Sequence, residues 1–159
     1  MHGRVQRDAK PINSCARRMS TIEVVTLPGG SAKISIQTRE HCPPHATCRD
    51  TGGQWIVRIS FSFAYPTAVG LVDVMPPQNN PGIAAINALV AAVEQKLHEC
   101  RHLWWTYQRN NPLIQAEGAC CLNNSPYGNW TVRSASYDPV ARETRLVSTT
   151  GQTLILPMS

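Results

Sequence analysis

The feature that most constrains this chain is the stretch 81–111, PGIAAINALVAAVEQKLHECRHLWWTYQRNN, its only long helical pattern. Asn80 is a favourable N-cap, and Pro81 suits a first helical position, where a missing N–H is not needed. Ile83, Ile86, Val90, Val93, Leu97, Cys100, Trp104 and Tyr107 recur at steps of three and four, which makes one apolar stripe. Arg109 in the last turn and Asn110-Asn111-Pro112 end the pattern. A helix of this length would run about 45 Å, enough to cross a whole sheet.

The sheet comes from the flanking segments. Residues 21–27 and 32–38 surround Pro28-Gly29-Gly30-Ser31 and read as a hairpin, with Val24, Ile34 and Ile36 inward and Glu23 and Lys33 outward. Residues 39–53, with Pro43-Pro44 and Gly52-Gly53, read as a loop. Residues 54–65 alternate Trp55, Val57, Ile59, Phe61, Phe63 and Tyr65 with smaller or polar neighbours, the pattern of a strand buried on one face. Residues 69–75 have the length of a short edge strand. After the irregular segment 112–129, strands return at 130–137, 143–149 and 152–157, with turns at Asp138-Pro139 and Gly151. The expected fold is α+β: an antiparallel sheet of about six strands packed on one long central helix, in the order β-β-β-α-β-β-β.

Charge divides the chain. Residues 1–18 hold five basic residues and one acid, so they read as a basic, disordered extension of a single domain spanning 19–159. The remainder holds ten basic and nine acidic residues and is close to neutral. Nucleic-acid binding would therefore have to rest on the tail, helped by Arg58 and Arg133 on neighbouring strands. No apolar run approaches a membrane span, so no membrane partner is expected. The tail has no apolar segment of the secretory kind, which points to a cytoplasmic protein whose six cysteines are thiols or metal ligands rather than disulfides.

The chemically suggestive motif lies on the helix, His98-Glu99-Cys100-Arg101-His102. Histidines four apart share a helix face and can reach one metal ion, and a carboxylate between them can take a proton from metal-bound water. The pattern is similar to that of the zinc metallopeptidases called zincins. That resemblance, which covers five residues, implies zinc held by His98 and His102, with Glu99 as the catalytic base. A third ligand is needed from elsewhere, with Glu117 the first candidate and Asp138 another. Against this stand Arg101, a cation inside the motif, and the lack of a second long helix before it. On a helical wheel the histidines fall on the polar side, away from the apolar stripe.

A second constellation, His41, Cys42, His45 and Cys48, could order the 39–53 loop around a structural zinc, although the spacing is not that of a known finger. Cys120 or Cys121 could complete such a site. Trp105, flanked by Arg101 and Arg109, has the composition of a protein-contact anchor. With no complete catalytic constellation, the expected protein is non-catalytic, needs no cofactor, and acts through a protein partner as an accessory or inhibitor of the kind mobile elements carry. A zinc hydrolase and a nucleic-acid binder are the alternatives.

Overall fold

The computed structural model describes residues 19–41, 43–67, 69–110 and 132–158. Five antiparallel strands, β1 (Met19–Leu27), β2 (Gly30–Gln37), β3 (His45–Asp50), β4 (Ile56–Phe61) and β5 (Val69–Met75), form one sheet in sequence order. A 3-10 turn (Pro77–Asn79) leads into α1 (Ile83–Gln95) and α2 (Leu97–Gln108), and a second antiparallel sheet follows, β6 (Val132–Asp138), β7 (Glu143–Ser148) and β8 (Thr153–Pro157). The fold is α+β with antiparallel sheets as expected. The single central helix and the six-stranded sheet are corrected to two helices and to strands divided between two sheets.

The helix breaks at Lys96, whose φ and ψ are −114° and 24° and whose N–H bonds to the Val93 carbonyl. Neither glycine nor proline stands there, so the cause is packing. Strands lie ~4.8 Å apart, so five span roughly 19 Å, and thirteen helical residues run about 20 Å. α1 packs on β4 and on both edge strands, β1 and β5, so it crosses the whole sheet. A straight continuation would overhang into solvent. Instead α2 turns back to meet β1, β2, β3 and β6.

The break also changes which residues face inward. α1 buries Ala85, Leu89, Ala92 and Val93, and α2 buries Leu97, Cys100, Arg101, Trp104 and Gln108. Ile83, expected in the stripe, is 78% exposed. The expected N-cap is also displaced: Gly82, at φ 94°, takes that position, and Asn80 Oδ1 accepts the Gly82 N–H at 2.9 Å.

The hairpin closes on Pro28-Gly29, with Gly29 at φ 82°, a left-handed value that glycine adopts without strain. Ile34 and Ile36 are buried as expected. Val24 is not: a bulge between Thr21 and Glu23 shifts the alternation, pairs Val24 with Lys33 and leaves Val24 60% exposed.

The largest correction is β3, which runs through the segment read as a loop. It pairs with β2 and β4 at the centre of the sheet. Ala46 and Cys48 are fully buried opposite Ile59 and Val57. A strand covered on both sides needs small side chains rather than an alternating apolar signal, which is why its sequence looks unstructured. One core joins the two sheets: Trp104 meets Phe61 edge-on at 6.0 Å, and Tyr137 meets Phe63 at 5.3 Å. No helix among the described residues is long and apolar enough to cross a membrane.

Leu89 is fully buried at the middle of α1. Leu89→Ala should lower the unfolding free energy by about 2–5 kcal/mol in a urea titration, whereas Ile83→Ala should change it by less than about 0.5 kcal/mol.

Candidate functional site

Three side chains fix α2 against the first sheet and its loops. Gln108 Nε2 donates to the Gln37 carbonyl at 2.9 Å, and its Oε1 accepts the Glu40 N–H at 3.2 Å. The Tyr107 and Ser20 hydroxyls meet across α2 and β1. Arg101, with 0% exposure, donates from Nε to the Ser62 carbonyl at 3.0 Å and from Nη2 to the carbonyls of Tyr65 at 3.3 Å and Pro66 at 2.7 Å. The same loop is held from within by Ser62 Oγ, which accepts the N–H groups of Ala64 and Tyr65, both at 2.9 Å. Burial lowers the Arg101 pKa from its usual value. The guanidinium stays protonated all the same, because its ordinary pKa lies so high.

With Arg101 and Trp104 turned inward, His98 comes to the margin of the buried stripe, while His102 stays on the exposed side as expected. His98 is half-buried, and its Nδ1 lies 2.9 Å from the Tyr137 hydroxyl on β6. The His98 and His102 rings stack with centroids 6.4 Å apart and an interplanar angle of 26°. Both line an open groove of about 310 Å³ with Lys96, Glu99, Leu103 and, from β1, Thr21 and Ile22. Burial lowers the His98 pKa from 6.5; Arg142, His102 and Arg101 add to the effect, and Glu99 opposes it. The imidazole is therefore neutral at pH 7, with a lone pair available.

The zincin-like set is incomplete among the described residues. Glu117 lies outside them. Asp138 Oδ1 instead accepts the Val140 N–H at 2.9 Å and the Ala141 N–H at 3.1 Å, closing the β6–β7 turn. No three His, Cys, Asp or Glu side chains among the described residues gather to hold a metal ion.

Protein-family models, curated proteins and solved structures give no match to this chain. Its chemistry has to be read from its own side chains.

Of the second constellation, His41 and His45 come together, with ring centroids 5.5 Å apart. Cys48 is buried in the core, where desolvation pushes its thiol up to about 12. Cys100 is held at about 12 for the same reason, so both are packed thiols rather than nucleophiles. His45 is buried with Nδ1 2.7 Å from the Pro43 carbonyl and Nε2 3.2 Å from the Glu40 carboxylate. His41 is exposed, with Nε2 3.1 Å from Arg58 Nη1. Cys42, Cys120 and Cys121 lie outside the described residues.

Of the expected contact residues, Arg101 is buried and has no surface to present. Trp105 is half-buried against the core, and Arg109 is exposed at the end of α2. Arg58 and Arg133 are not on neighbouring strands but in different sheets, and Arg58 is paired with Asp73. Neither Lys96 as a lining residue of the groove nor Tyr137 as the partner of His98 is among the residues the sequence singles out. A tyrosine on a distant strand carries no local signal that it will meet a histidine on a helix.

Two outcomes are expected. Arg101→Ala should cost roughly 3 kcal/mol in urea unfolding, because three loop carbonyls lose a charged donor, and Arg101→Lys should recover only part, since one ammonium cannot match the guanidinium fork. For His98 the folded pKa lies below the unfolded one, so the unfolded chain binds more protons between the two values and stability rises with pH there. The urea midpoint should therefore fall as pH drops through about 6.5, and less so in His98→Gln.

Proposed function

We propose that this chain is a non-catalytic binding protein that captures an extended segment of a protein partner along β5. The observation that carries this reading is the character of that edge. β5 pairs only with β4 among the described residues, so its other side offers unpaired backbone N–H and C=O groups. Leu71 is 47% exposed, Val72 39% and Met75 40%. The bulge opposite Arg58 and Ile59 explains why two consecutive apolar side chains, Leu71 and Val72, both reach solvent.

Edge strands are normally guarded by lysine, proline or an unpaired charge. β5 has none of these: its one charged residue, Asp73, is bound by Arg58 through Nε at 2.8 Å and through Nη2. Ile83 adds a fully presented apolar side chain at the start of α1, the helix that packs on β5. Exposed apolar side chains beside free backbone groups are what strand addition uses, with main-chain bonds giving affinity and alternate side chains giving selectivity. The opposite edge, β1, differs in carrying Glu23, a charge with no ion-pair partner among the described residues.

The test is selection of peptides from a displayed random library on the full chain, followed by affinity measurement. Extended peptides with alternating apolar residues should be enriched, and Leu71→Glu with Val72→Glu should weaken them tenfold or more, about 1.5–3 kcal/mol being at stake per buried apolar side chain. Selected peptides that bind the variant as well as the wild type would sink the proposal.

A further inference from the structure

The groove beside α2 has a use that partner capture along β5 does not require. We propose that His98 and His102 form a two-histidine site for a divalent transition-metal ion, completed by water and flanked by Glu99.

Three observations carry this. The first is the direction of the nitrogens. In the tautomer whose Nδ1–H donates to the Tyr137 hydroxyl, 2.9 Å away, Nε2 carries the lone pair for a ligand. A hydrogen bond on the second ring nitrogen is the usual way that a metal-binding histidine is held in its tautomer and orientation. The second is spacing. Two imidazoles sharing one ion through bonds of ~2.1 Å have centroids about 4.5 Å apart at the right angle of a tetragonal site and about 5 Å apart at a tetrahedral angle. The His98 and His102 rings stand at 6.4 Å. His102 is exposed, so rotation of its side chain closes the gap while Tyr137 holds His98 in place. The third is access. A groove of about 310 Å³ has room for an ion with several waters, each needing ~30 Å³.

The charges around the pair set its range. Lys96 lines the same groove, and Arg142 and Arg101 act on His98 from the β6–β7 turn and from the helix interior. These cations oppose a dication, and the Glu99 carboxylate offsets them in part. Imidazole ligands and two protein donors favour copper(II) at the top of the divalent series, with nickel and zinc weaker.

Chelator-stripped full-length protein would be titrated with Cu²⁺ at about pH 7.5 and followed by calorimetry and electron paramagnetic resonance. The expected result is a bound ion coupled to two imidazole nitrogens. His102→Ala, which leaves the His98–Tyr137 contact in place, should weaken that site at least tenfold and leave coupling to one nitrogen. The His98→Ala/His102→Ala double variant should lose the site, and His41→Ala should retain it. Wild type without this signal, a double variant that binds as tightly as wild type, or loss of the site in His41→Ala would each overturn the assignment. Since His102 is exposed, its substitution tests the site even if variants at His98 do not fold.

Discussion

The contact on which the rest of the arrangement depends is the buried guanidinium of Arg101. Taking a cation out of water is costly, and among the described residues no carboxylate pairs with it. The cost is offset by carbonyls of residues 62, 65 and 66, in the crossing from β4 to β5. These carbonyls belong to an irregular segment and would otherwise themselves be short of donors. One side chain thus supplies the loop with hydrogen bonds and sets the rotation of α2 about its own axis. Trp104 then packs on Phe61, and His98 and His102 are turned toward β1 and β6.

The break at Lys96 gives that rotation its freedom. A continuous helix would carry the phase of α1 into the motif and present His98, like His102, to solvent. Because α1 ends once it has crossed the five strands, α2 follows its own packing, against the strand ends and the second sheet. The groove is a by-product of this turn, bounded by Lys96 at the break, by β1 and by the histidine side of α2. The same economy of space leaves β5 bare: α1 covers its inner face, and its outer edge has no neighbour among the described residues.

Several elements were legible in the sequence because their signals are local. The Pro28-Gly29 turn, the alternation through Val57, Ile59 and Phe61, and the three final strands all depend on residues within a few positions of one another. β3 was not legible. Its six residues, HATCRD, are shaped by being central, and centrality is a property of the neighbours. The misplacement of Val24 has a similar origin, since one bulge residue reverses the alternation beyond it. In the motif, the spacing of His98 and His102 was visible, but their surroundings were not. Tyr137 reaches His98 across 39 residues, and Arg101, which reads as a surface cation in any sequence, is the most deeply placed charge described.

By itself the sequence determined the class of the fold, the existence of a helical region after Pro81, and the presence of two histidines one turn apart. These follow from periodicity and turn chemistry, which act over short distances along the chain. The tertiary structure alone decided that the helix is two helices, that the strands divide into two sheets, and that a strand runs through the proline-containing segment. It also decided which cation is buried and which strand edge stays open. The physical reason is the same throughout: burial and hydrogen bonding are settled between elements, by the finite width of a sheet and by which inward polar groups a neighbouring element can reach.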